Sequence, residues 1–550
     1  MKWWGWGQEG VAFHHHDKPG LAPFAYRMAG IDFNAPPVQV PDLAELDVPA
    51  SQAPDGLRSA LVEAVGAEHV HDDDLTRVVH TYGKSMRDLV RIRRGDFGRV
   101  PDLVVYPVDE AQVEAVLRTG LDSDAVLIPF GGGSNIVGSL EAPRDESRPV
   151  VSVDLGRMRS VIEVDETSQT ARIQAGALGP DLEAQLNARG WTIGHFPDSF
   201  KHSTLGGWIA TRSSGMQSDR FGDIADITRA VRVVTPKGVV ATRAVPVQSA
   251  GPSVREMVLG SEGRLGVITE ALVQVHRLAE ERVILAYFFP DYGSGLRAMH
   301  DVAASDAAPS ITRVSDAMET QFTMATAKKG SRLSALMSKG VKVYAEKRKG
   351  IDLDKMCLSF IGYEGSKEHV ARTKRLVGEI VKKHGGFGVG SGPGTLYDQK
   401  KFDTPYIRDF ILDRGAYGDV SETSSSWATL EVLHDNVVAA ANKAFAEQGT
   451  QGFVFCHLSH SYHSGACQYF TFAFQPPAEG DGLAVYDAVK HAIQQAFIDN
   501  GGTLSHHHAV GREHKPWVGD DLSSAGAQIV SALFQGVDPG RNLNPGAIVD

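Results

Sequence analysis

Histidine is the residue type in this chain that most clearly suggests chemistry, and it is concentrated in two places in the C-terminal half. One is the triplet His506-His507-His508, and the other is the spaced set His457, His460 and His463. Neutral imidazole is a natural proton acceptor near pH 7 and also a common metal ligand. The close HExxH spacing of zinc proteases is absent, and residues three apart on a strand point to opposite faces, so His457 and His460 are predicted not to converge on one ion. We therefore predict no metal site.

Another triplet, His14-His15-His16, lies in an N-terminal segment interrupted by glycine and proline. Metal binding is the alternative for such a run, but in a segment of this composition we predict an exposed stretch without function. The first hundred residues carry no other chemistry and are predicted to wrap the main domain.

A glycine-rich turn marks a place where a ligand could bind. Residues 125–130 are predicted to form a buried strand that runs directly into Gly131-Gly132-Gly133-Ser134-Asn135. Glycines let the backbone approach a ligand closely and aim successive N–H groups at an anion such as a pyrophosphate. The turn is not a GxGxxG motif, because Ile136 stands at the third glycine position, and it lacks the lysine of a P-loop. Taken alone, it fits a tight turn as well as a phosphate site. A later glycine run, residues 388–394, also misses the motif spacing and is predicted to be a flexible loop.

The elements that position this turn predict an α+β fold. Residues 103–106 form a predicted strand, a helix that Asp109 can cap follows, and further strands are predicted at 150–155, 161–164 and 170–175. Strands and helices mix without strict alternation, which favours α+β over a doubly wound sheet. A length of 550 residues indicates two or more domains whose interface could hold a cofactor.

Three further segments rich in glycine and small polar residues follow within the next 140 positions, at 197–207, 211–215 and 260–269. Together with residues 131–135 they resemble the PCMH-type FAD-binding domain of the vanillyl-alcohol oxidase superfamily, in which such segments line the groove for the cofactor. The resemblance implies noncovalent FAD and an α+β cap domain over the flavin. The residues that it assigns to cofactor binding are Pro129, Phe130, Gly131, Gly132, Gly133, Ser134, Asn135, Asp198, Ser199, Ser203, Thr204, Thr211, Arg212, Ser213, Ser214, Glu262, Gly263, Leu265, Gly266, Val267 and Ile268.

Within that superfamily the chain most resembles the alkyldihydroxyacetonephosphate synthase family. The likeness rests on runs such as residues 194–199, 207–212 and 465–470 and extends over most of the chain. It implies an N-terminal region at 1–96, an FAD domain at 97–278, a cap domain at 279–500 and a C-terminal segment at 501–550 that returns to the active site. It also implies a homodimer, and a redox-neutral reaction in which a long-chain alcohol replaces the acyl group of acyl-dihydroxyacetonephosphate.

The same resemblance assigns roles to individual side chains. Arg408 takes the position that binds the substrate phosphate, which suits a guanidinium because it donates two parallel hydrogen bonds. Pairing of Arg408 with a local carboxylate is the alternative. Arg313 matches a second arginine important for activity, with its role left open. Tyr469 matches the catalytic tyrosine, and His507, flanked by His506 and His508, is our choice for the base.

Two other functions are weighed against this one. An FAD-dependent 2-hydroxy acid dehydrogenase shares the same FAD domain, but that branch usually carries Gly-Glu-His-Gly where this chain has Ser505-His506-His507-His508. A flavin-binding protein without catalysis would be expected to have lost the reactive residues, which are present. Residues 457–462 read His-x-x-His-x-Tyr and depart from the animal enzymes, which puts the specificity for alcohol or headgroup in doubt.

Composition limits the partners and the compartment. A formal net charge of −12 offers no basic stripe for phosphate neutralisation, so no nucleic acid is expected. The three cysteines are widely spaced, and neither a signal peptide nor a peroxisomal address is evident, so we predict a cytoplasmic protein. Long-chain substrates imply loose contact with a membrane surface, although no strongly basic amphipathic helix indicates it.

Overall fold

The structure is a computed structural model that describes residues 2–327, 332–400, 402 and 404–550. Its strands are β1 (Val70–His71), β2 (Leu103–Val105), β3 (Val126–Phe130), β4 (Val150–Asp154), β5 (Val161–Asp165), β6 (Thr170–Gln174), β7 (Trp191–Thr192), β8 (Thr228–Thr235), β9 (Gly238–Ala241), β10 (Val267–Gln274), β11 (His276–Arg277), β12 (Glu281–Phe289), β13 (Ile311–Ser315), β14 (Cys357–Gly365), β15 (Phe387–Gly390), β16 (Tyr417–Ser426), β17 (Gly452–Ser461) and β18 (Gly465–Phe474).

The helices connect and cover these strands. They are α1 (Leu21–Ala29), α2 (Asp55–Val65), α3 (Asp74–Val79), α4 (Met86–Arg93), α5 (Glu110–Asp122), α6 (Gly179–Asn187), α7 (Leu205–Thr211), α8 (Ser218–Phe221), α9 (Ile224–Ile227), α10 (Val254–Val258), α11 (Tyr292–Ala303), α12 (Ala317–Ala325), α13 (Arg332–Lys349), α14 (Lys367–Lys383), α15 (Gly392–Lys400), α16 (Ile407–Leu412), α17 (Leu430–Glu447), α18 (Gly482–Asp499) and α19 (Val518–Val537). Among the described residues, no helix combines the length and the apolar character needed to cross a membrane.

A four-stranded sheet, a five-stranded sheet and the two-stranded pair β7-β11 lie in the first half of the described chain, and a seven-stranded sheet forms the second half. The four-stranded sheet has the order β1-β2-β4-β3, and its strands β2, β4 and β3 are parallel, as expected where α5 crosses over between β2 and β3. The five-stranded sheet, β5-β6-β10-β8-β9, is antiparallel. The seven-stranded antiparallel sheet has the order β15-β12-β14-β13-β17-β18-β16. This mixture confirms the predicted α+β class.

Separate hydrophobic cores support the two halves. One large cluster fills the space around the four- and five-stranded sheets, and another packs the seven-stranded sheet against α11, α14, α17 and α18. Leu543 and Ile548 belong to the first cluster, and Asn544 donates its backbone N–H to the carbonyl of Leu127 over 3.0 Å. The chain therefore crosses to the seven-stranded sheet and then returns to the first half.

The N-terminal region contacts both halves. Helix α2 packs on α5, whereas α1 packs on α12 and β17. Lys2 forms a buried ion pair with Asp409 at 3.0 Å. Of the N-terminal histidine triplet, His15 is only 9% exposed and its ring contacts Phe33 and Phe410, so the prediction of a wholly exposed run is wrong at this residue.

Of the local structure predictions, the helix cap is confirmed and the glycine-run loop is wrong. Asp109 accepts a hydrogen bond from the N–H of Gln112 and so caps α5 as predicted. The glycine run 388–394 is not a loop, because it contributes the edge strand β15 and the start of α15. The pairing of β15 with β12 explains this difference, since an adjacent strand supplies hydrogen bonds that the sequence of the run does not reveal.

Candidate functional site

A large cavity lies between the glycine-rich turns of the first half and the seven-stranded sheet. Its volume is about 1600 Å³. Pockets for drug-sized ligands usually span about 300–1,000 Å³, so this cavity can hold a dinucleotide and a second molecule together.

The glycine turn after β3 forms one wall, and it tolerates no side chain. A Cβ on Gly132 would lie 1.9 Å from the carbonyl oxygen of His202, and one on Gly131 would lie 2.4 Å from Oγ1 of Thr204. Gly133 has a φ of +65°, in the left-handed region that glycine adopts without strain. The turn lines the cavity with its bare backbone, an arrangement that fits the pyrophosphate of FAD.

Most of the predicted cofactor residues line this cavity. They are Pro129, Phe130, Gly131, Gly132, Gly133, Ser134, Asn135, Asp198, Ser199, Ser203, Thr204, Thr211, Ser213, Ser214, Glu262, Gly263, Gly266 and Ile268.

Three predicted cofactor residues lie elsewhere. Leu265 and Val267 are 5% and 1% exposed and belong to the hydrophobic core of the first half. The Arg212 side chain points outward, where it is 46% exposed and pairs with Glu256 at 3.3 Å. These residues help to shape the segment, but their side chains do not line the cavity.

Glu262 lines the cavity yet has its carboxylate occupied by the protein itself. It accepts hydrogen bonds from the N–H groups of Val510 and Gly511 at 2.9 and 3.0 Å and from the hydroxyl of Ser139. Glu262 thus fixes the C-terminal segment, just after the histidine triplet, to the first half.

A second arm of the cavity is apolar and is formed partly by the N-terminal region. Leu21, Phe24 and Ile31 line it together with Phe322 and Phe455, all from one hydrophobic cluster. Sequence reasoning assigned no chemistry to the first hundred residues, because scattered apolar residues there give no sign of a shared cavity wall.

Arg408 points into the cavity next to Asp419, with 3.5 Å between Nη2 and Oδ1. The guanidinium is 12% exposed, and in the described part of the chain its Nε and Nη2 atoms have no hydrogen-bond partner. Burial of Asp419 would raise the pKa of its carboxyl, but Arg408 and Lys490 lower it, so Asp419 stays ionised. The predicted alternative is therefore partly realised: Arg408 has a carboxylate neighbour, yet retains donors for an anion.

Tyr469 stands on β18 between two imidazole rings. The ring centroid of His457 lies 5.0 Å away on one side, and that of His507 lies 5.9 Å away on the other. Burial raises the pKa of Tyr469 well above its ordinary value, so the phenol remains protonated and can donate. Thr471 and Ala473, on the same face of β18, line the cavity together with Tyr469.

Arg313 is held one layer behind Tyr469. Its Nη2 atom donates to Oε1 of Glu319 at 2.6 Å and lies 3.1 Å from Nδ1 of His457. His457 also contacts Glu319 at 3.0 Å. Arg313 lines the cavity and is tied to Tyr469 through the imidazole that stacks on it.

The C-terminal histidine triplet is organised by a buried carboxylate, Glu422 on β16. Its oxygens accept hydrogen bonds from the N–H groups of His506, His507 and His508 at 2.6, 3.1 and 2.9 Å, and from Oγ of Ser505 at 2.7 Å. Burial opposes ionisation of Glu422, but the surrounding histidines and Ser505 hold its pKa well below the ordinary value. Its negative charge therefore fixes the backbone of the triplet.

The three imidazoles take different positions. Those of His507 and His508 line the cavity, and His506 lies behind them. Burial lowers the pKa of His507 to about 3, although Glu422 opposes this, and it lowers that of His508 to about 4. Both rings are neutral at physiological pH, so His507 can accept a proton.

His457 and His460 do not point to opposite sides as predicted. Both line the cavity, together with Ser459. The reason is a register shift between Leu458 and His460 in the pairing of β17 with β18, which breaks the alternation that the prediction assumed.

One cluster of metal-ligating side chains exists among the described residues: Glu422, Cys467, His506 and His507, whose ligand atoms lie within 4.8 Å of one another. The Glu422 carboxylate already accepts four hydrogen bonds, and both ring nitrogens of His506 contact other side chains. An ion would have to displace these bonds, so we retain the prediction of a site without metal.

Sequence reasoning missed Glu422 and Asp223 entirely. Glu422 stands in a strand of serines and threonines, and only the register of β16 with β18, which pairs it with Tyr469, brings it under the triplet. Asp223 and Tyr462 approach His506 from two distant parts of the chain. The one signal in the sequence was the His-x-x-His-x-Tyr pattern that contains Tyr462.

Comparisons with known proteins agree with this geometry. Residues 101–243 match the family model of an FAD binding domain, and residues 278–548 match that of the C-terminal domain of FAD linked oxidases. The chain is 40% identical over 482 residues to alkyldihydroxyacetonephosphate synthase of Dictyostelium discoideum, covering 88% of this chain and 79% of that protein. It is 32% identical to the Trypanosoma brucei brucei protein of the same name, covering 100% and 92%. A solved structure of an alkyldihydroxyacetonephosphate synthase superimposes with a TM-score of 0.85 at 34% identity, covering 99% of this chain and 98% of that one.

Proposed function

Because this chain belongs to the alkyldihydroxyacetonephosphate synthase family of FAD-dependent enzymes, we propose that it replaces the acyl group of acyl-dihydroxyacetonephosphate with a long-chain alcohol, forming an ether-lipid precursor. The observation that carries the proposal is one continuous cavity that joins the glycine turn, Arg408, Tyr469, His507 and an apolar arm. A polar headgroup and a long chain need such a cavity with two different ends.

The glycine turn and the Ser and Thr residues beside it are proposed to hold FAD without a covalent bond. When bound, FAD supplies a ring that can bond temporarily to a substrate carbon and so exchange two substituents without net oxidation. A Cβ at Gly131 or Gly132 would overlap Thr204 or the carbonyl of His202, so only glycines let the turn keep this position.

The protein groups have separate tasks in this proposal. The free donors of Arg408 bind the substrate phosphate through charge-assisted hydrogen bonds. The neutral imidazole of His507 accepts a proton from the substrate carbon at Nε2, and the protonated phenol of Tyr469 donates to a substrate oxygen. Arg313 positions Tyr469 through His457.

The apolar arm takes the alkyl chain and excludes water from the reacting carbon. We also propose that the protein is a cytoplasmic homodimer. Because substrates with long chains reside in membranes, the proposal includes peripheral contact with a membrane.

The test is an anaerobic incubation of the purified flavoprotein with palmitoyl-dihydroxyacetonephosphate and labelled hexadecanol. Release of fatty acid with labelled ether product, and no net flavin reduction, is expected. Absence of product combined with bleaching of the flavin by a 2-hydroxy acid would instead assign the chain to oxidation of 2-hydroxy acids.

A further inference from the structure

A continuous chain of hydrogen bonds leads from His507 away from the cavity to a carboxylate on the other half of the protein. Nδ1 of His507 lies 2.9 Å from Nδ1 of His506, and Nε2 of His506 lies 2.6 Å from the hydroxyl of Tyr462. That hydroxyl donates to Oδ2 of Asp223 at 2.6 Å. The chain joins the C-terminal triplet, the end of β17 and the residue that precedes α9.

The direction of these bonds follows from the carboxylate. Burial would raise the pKa of Asp223, but the positive charges that His460 and His506 acquire in acid and the hydrogen bonds from Ser214 and Tyr462 hold it below its ordinary value, so Asp223 is ionised at neutral pH and can only accept. Tyr462 must then donate to Asp223 and accept from His506, which places the proton of neutral His506 on Nε2. The bare Nδ1 of His506 accepts from Nδ1 of His507, and this leaves Nε2 of His507 as a free proton acceptor.

We propose that Tyr462 and Asp223 are positioning residues of a proton relay that keeps His507 in the tautomer able to take a proton from the substrate carbon. The inference rests on the function proposed above and extends it to residues outside the cavity. As Nε2 of His507 accepts the proton, the electron pair of the C–H bond stays with the substrate. The Nδ1 proton of His507 then passes to Nδ1 of His506, so the positive charge resides on His506, linked through Tyr462 to the negative charge of Asp223.

The reverse transfer returns the proton when the exchange is complete, so no oxidant, reductant or additional acid is needed. The other groups around His506 do not compete for this role. Burial lowers the pKa of His460, whose ring stacks 5.5 Å from His506, well below its ordinary value, so it remains neutral. Oε2 of Glu422 lies 3.7 Å from Nδ1 of His507, too far for a hydrogen bond, and the carboxylate is engaged with backbone N–H groups. Burial keeps the thiol of Cys467 protonated, and Asp219 lies beside His460 rather than His506.

The test compares Tyr462→Phe, Asp223→Asn and the double variant with Tyr363→Phe, in the complete flavoprotein. Tyr363 is the matched control, because its hydroxyl is buried in the same sheet, where it bonds Tyr287 at 2.7 Å, and does not line the cavity. Each relay variant is expected to lower kcat by about tenfold or more while KM changes less than about threefold, as for loss of part of a general base. The double variant should be no slower than the slower single variant, because residues that act as one unit are not additive.

A second measurement needs no substrate: a pH titration of the absorption band of the bound flavin. Burial lowers the pKa of His507 and the negative charge of Asp223 is one of the groups that oppose this, so the apparent pKa of the band shift should move to lower pH in Asp223→Asn and stay unchanged in Tyr363→Phe. If the relay variants turn over within about twofold of the control, or if the titration of Asp223→Asn matches the wild type, the relay is refuted. If the wild-type protein makes no ether product, the proposed function is wrong. The titration would still test the relay, because it needs no substrate.

Discussion

Replacing Glu422 with glutamine removes one negative charge from beneath the histidine triplet while preserving the volume of the side chain. The carboxylate accepts four hydrogen bonds, three of them from consecutive backbone N–H groups. A glutamine placed with its amide oxygen at the Oε1 position keeps the contacts to Ser505, His507 and His508, but its NH₂ group then faces the N–H of His506. Two donors cannot bond each other, so that N–H loses its partner.

The size of the effect follows from these bonds. A buried N–H without a partner costs roughly 1–3 kcal/mol, and each of the three remaining bonds loses about 1 kcal/mol when its acceptor becomes neutral. Release of the buried carboxylate from its desolvation offsets part of this, leaving a destabilisation of about 3 kcal/mol. In a cooperatively unfolding domain of about 250 residues, a loss of this size corresponds to a fall of about 6 °C in the unfolding temperature.

The assay is thermal unfolding of the flavoprotein as a function of pH, with kcat measured in parallel. Because the pKa of Glu422 is depressed in the folded state, its stabilisation is complete above the ordinary carboxyl pKa of about 4.3 and is lost as the pH falls through the folded-state value. The difference between wild type and Glu422→Gln should therefore be full at pH 7 and shrink only in acid. Displacement of His507 should also lower kcat by about tenfold or more.

The control is Glu183→Gln, another buried glutamate, which accepts from Thr192 and Ile193 outside the cavity. Burial raises the pKa of Glu183 to about 7, so a neutral side chain fits there and kcat should not change. Equal unfolding temperatures and a kcat within about twofold of wild type for Glu422→Gln would refute the role of this carboxylate as the anchor of the triplet.

Three further changes test the rest of the site. Gly132→Ala should abolish FAD binding, measured as the ratio of flavin to protein absorbance, because the added Cβ would overlap the carbonyl of His202. The control is Gly378→Ala, whose added Cβ meets no atom within 4 Å and which should bind FAD normally. Arg408→Lys keeps the charge but loses the planar fork, so KM for the phosphate-bearing substrate should rise roughly tenfold, and an unchanged KM would contradict phosphate binding. Treatment with a chelator, followed by metal analysis and assay, should leave activity unchanged. A loss of activity that one ion restores would instead show that the cluster at Glu422 holds a metal.

The sequence predicts features that local chemistry decides. The cap at Asp109 and the strand before Gly131 depend on neighbouring residues and are found as expected. The distant pairing of strands is different, because one register shift between Leu458 and His460 reverses which side chains share a face. The role of Glu422 could not be predicted for the same reason, because it depends on the register in which β16 pairs with β18.

The base in this site is a property of three segments together. Burial makes His507 a weak base by itself, with a pKa of about 3, so its competence depends on neighbours that fix its position and tautomer. Glu422 on the seven-stranded sheet fixes the backbone of the triplet, and Asp223 beside the five-stranded sheet sets the direction of its hydrogen bonds through Tyr462. A protein in which the two halves separate would therefore keep its glycine turn but would lose the base.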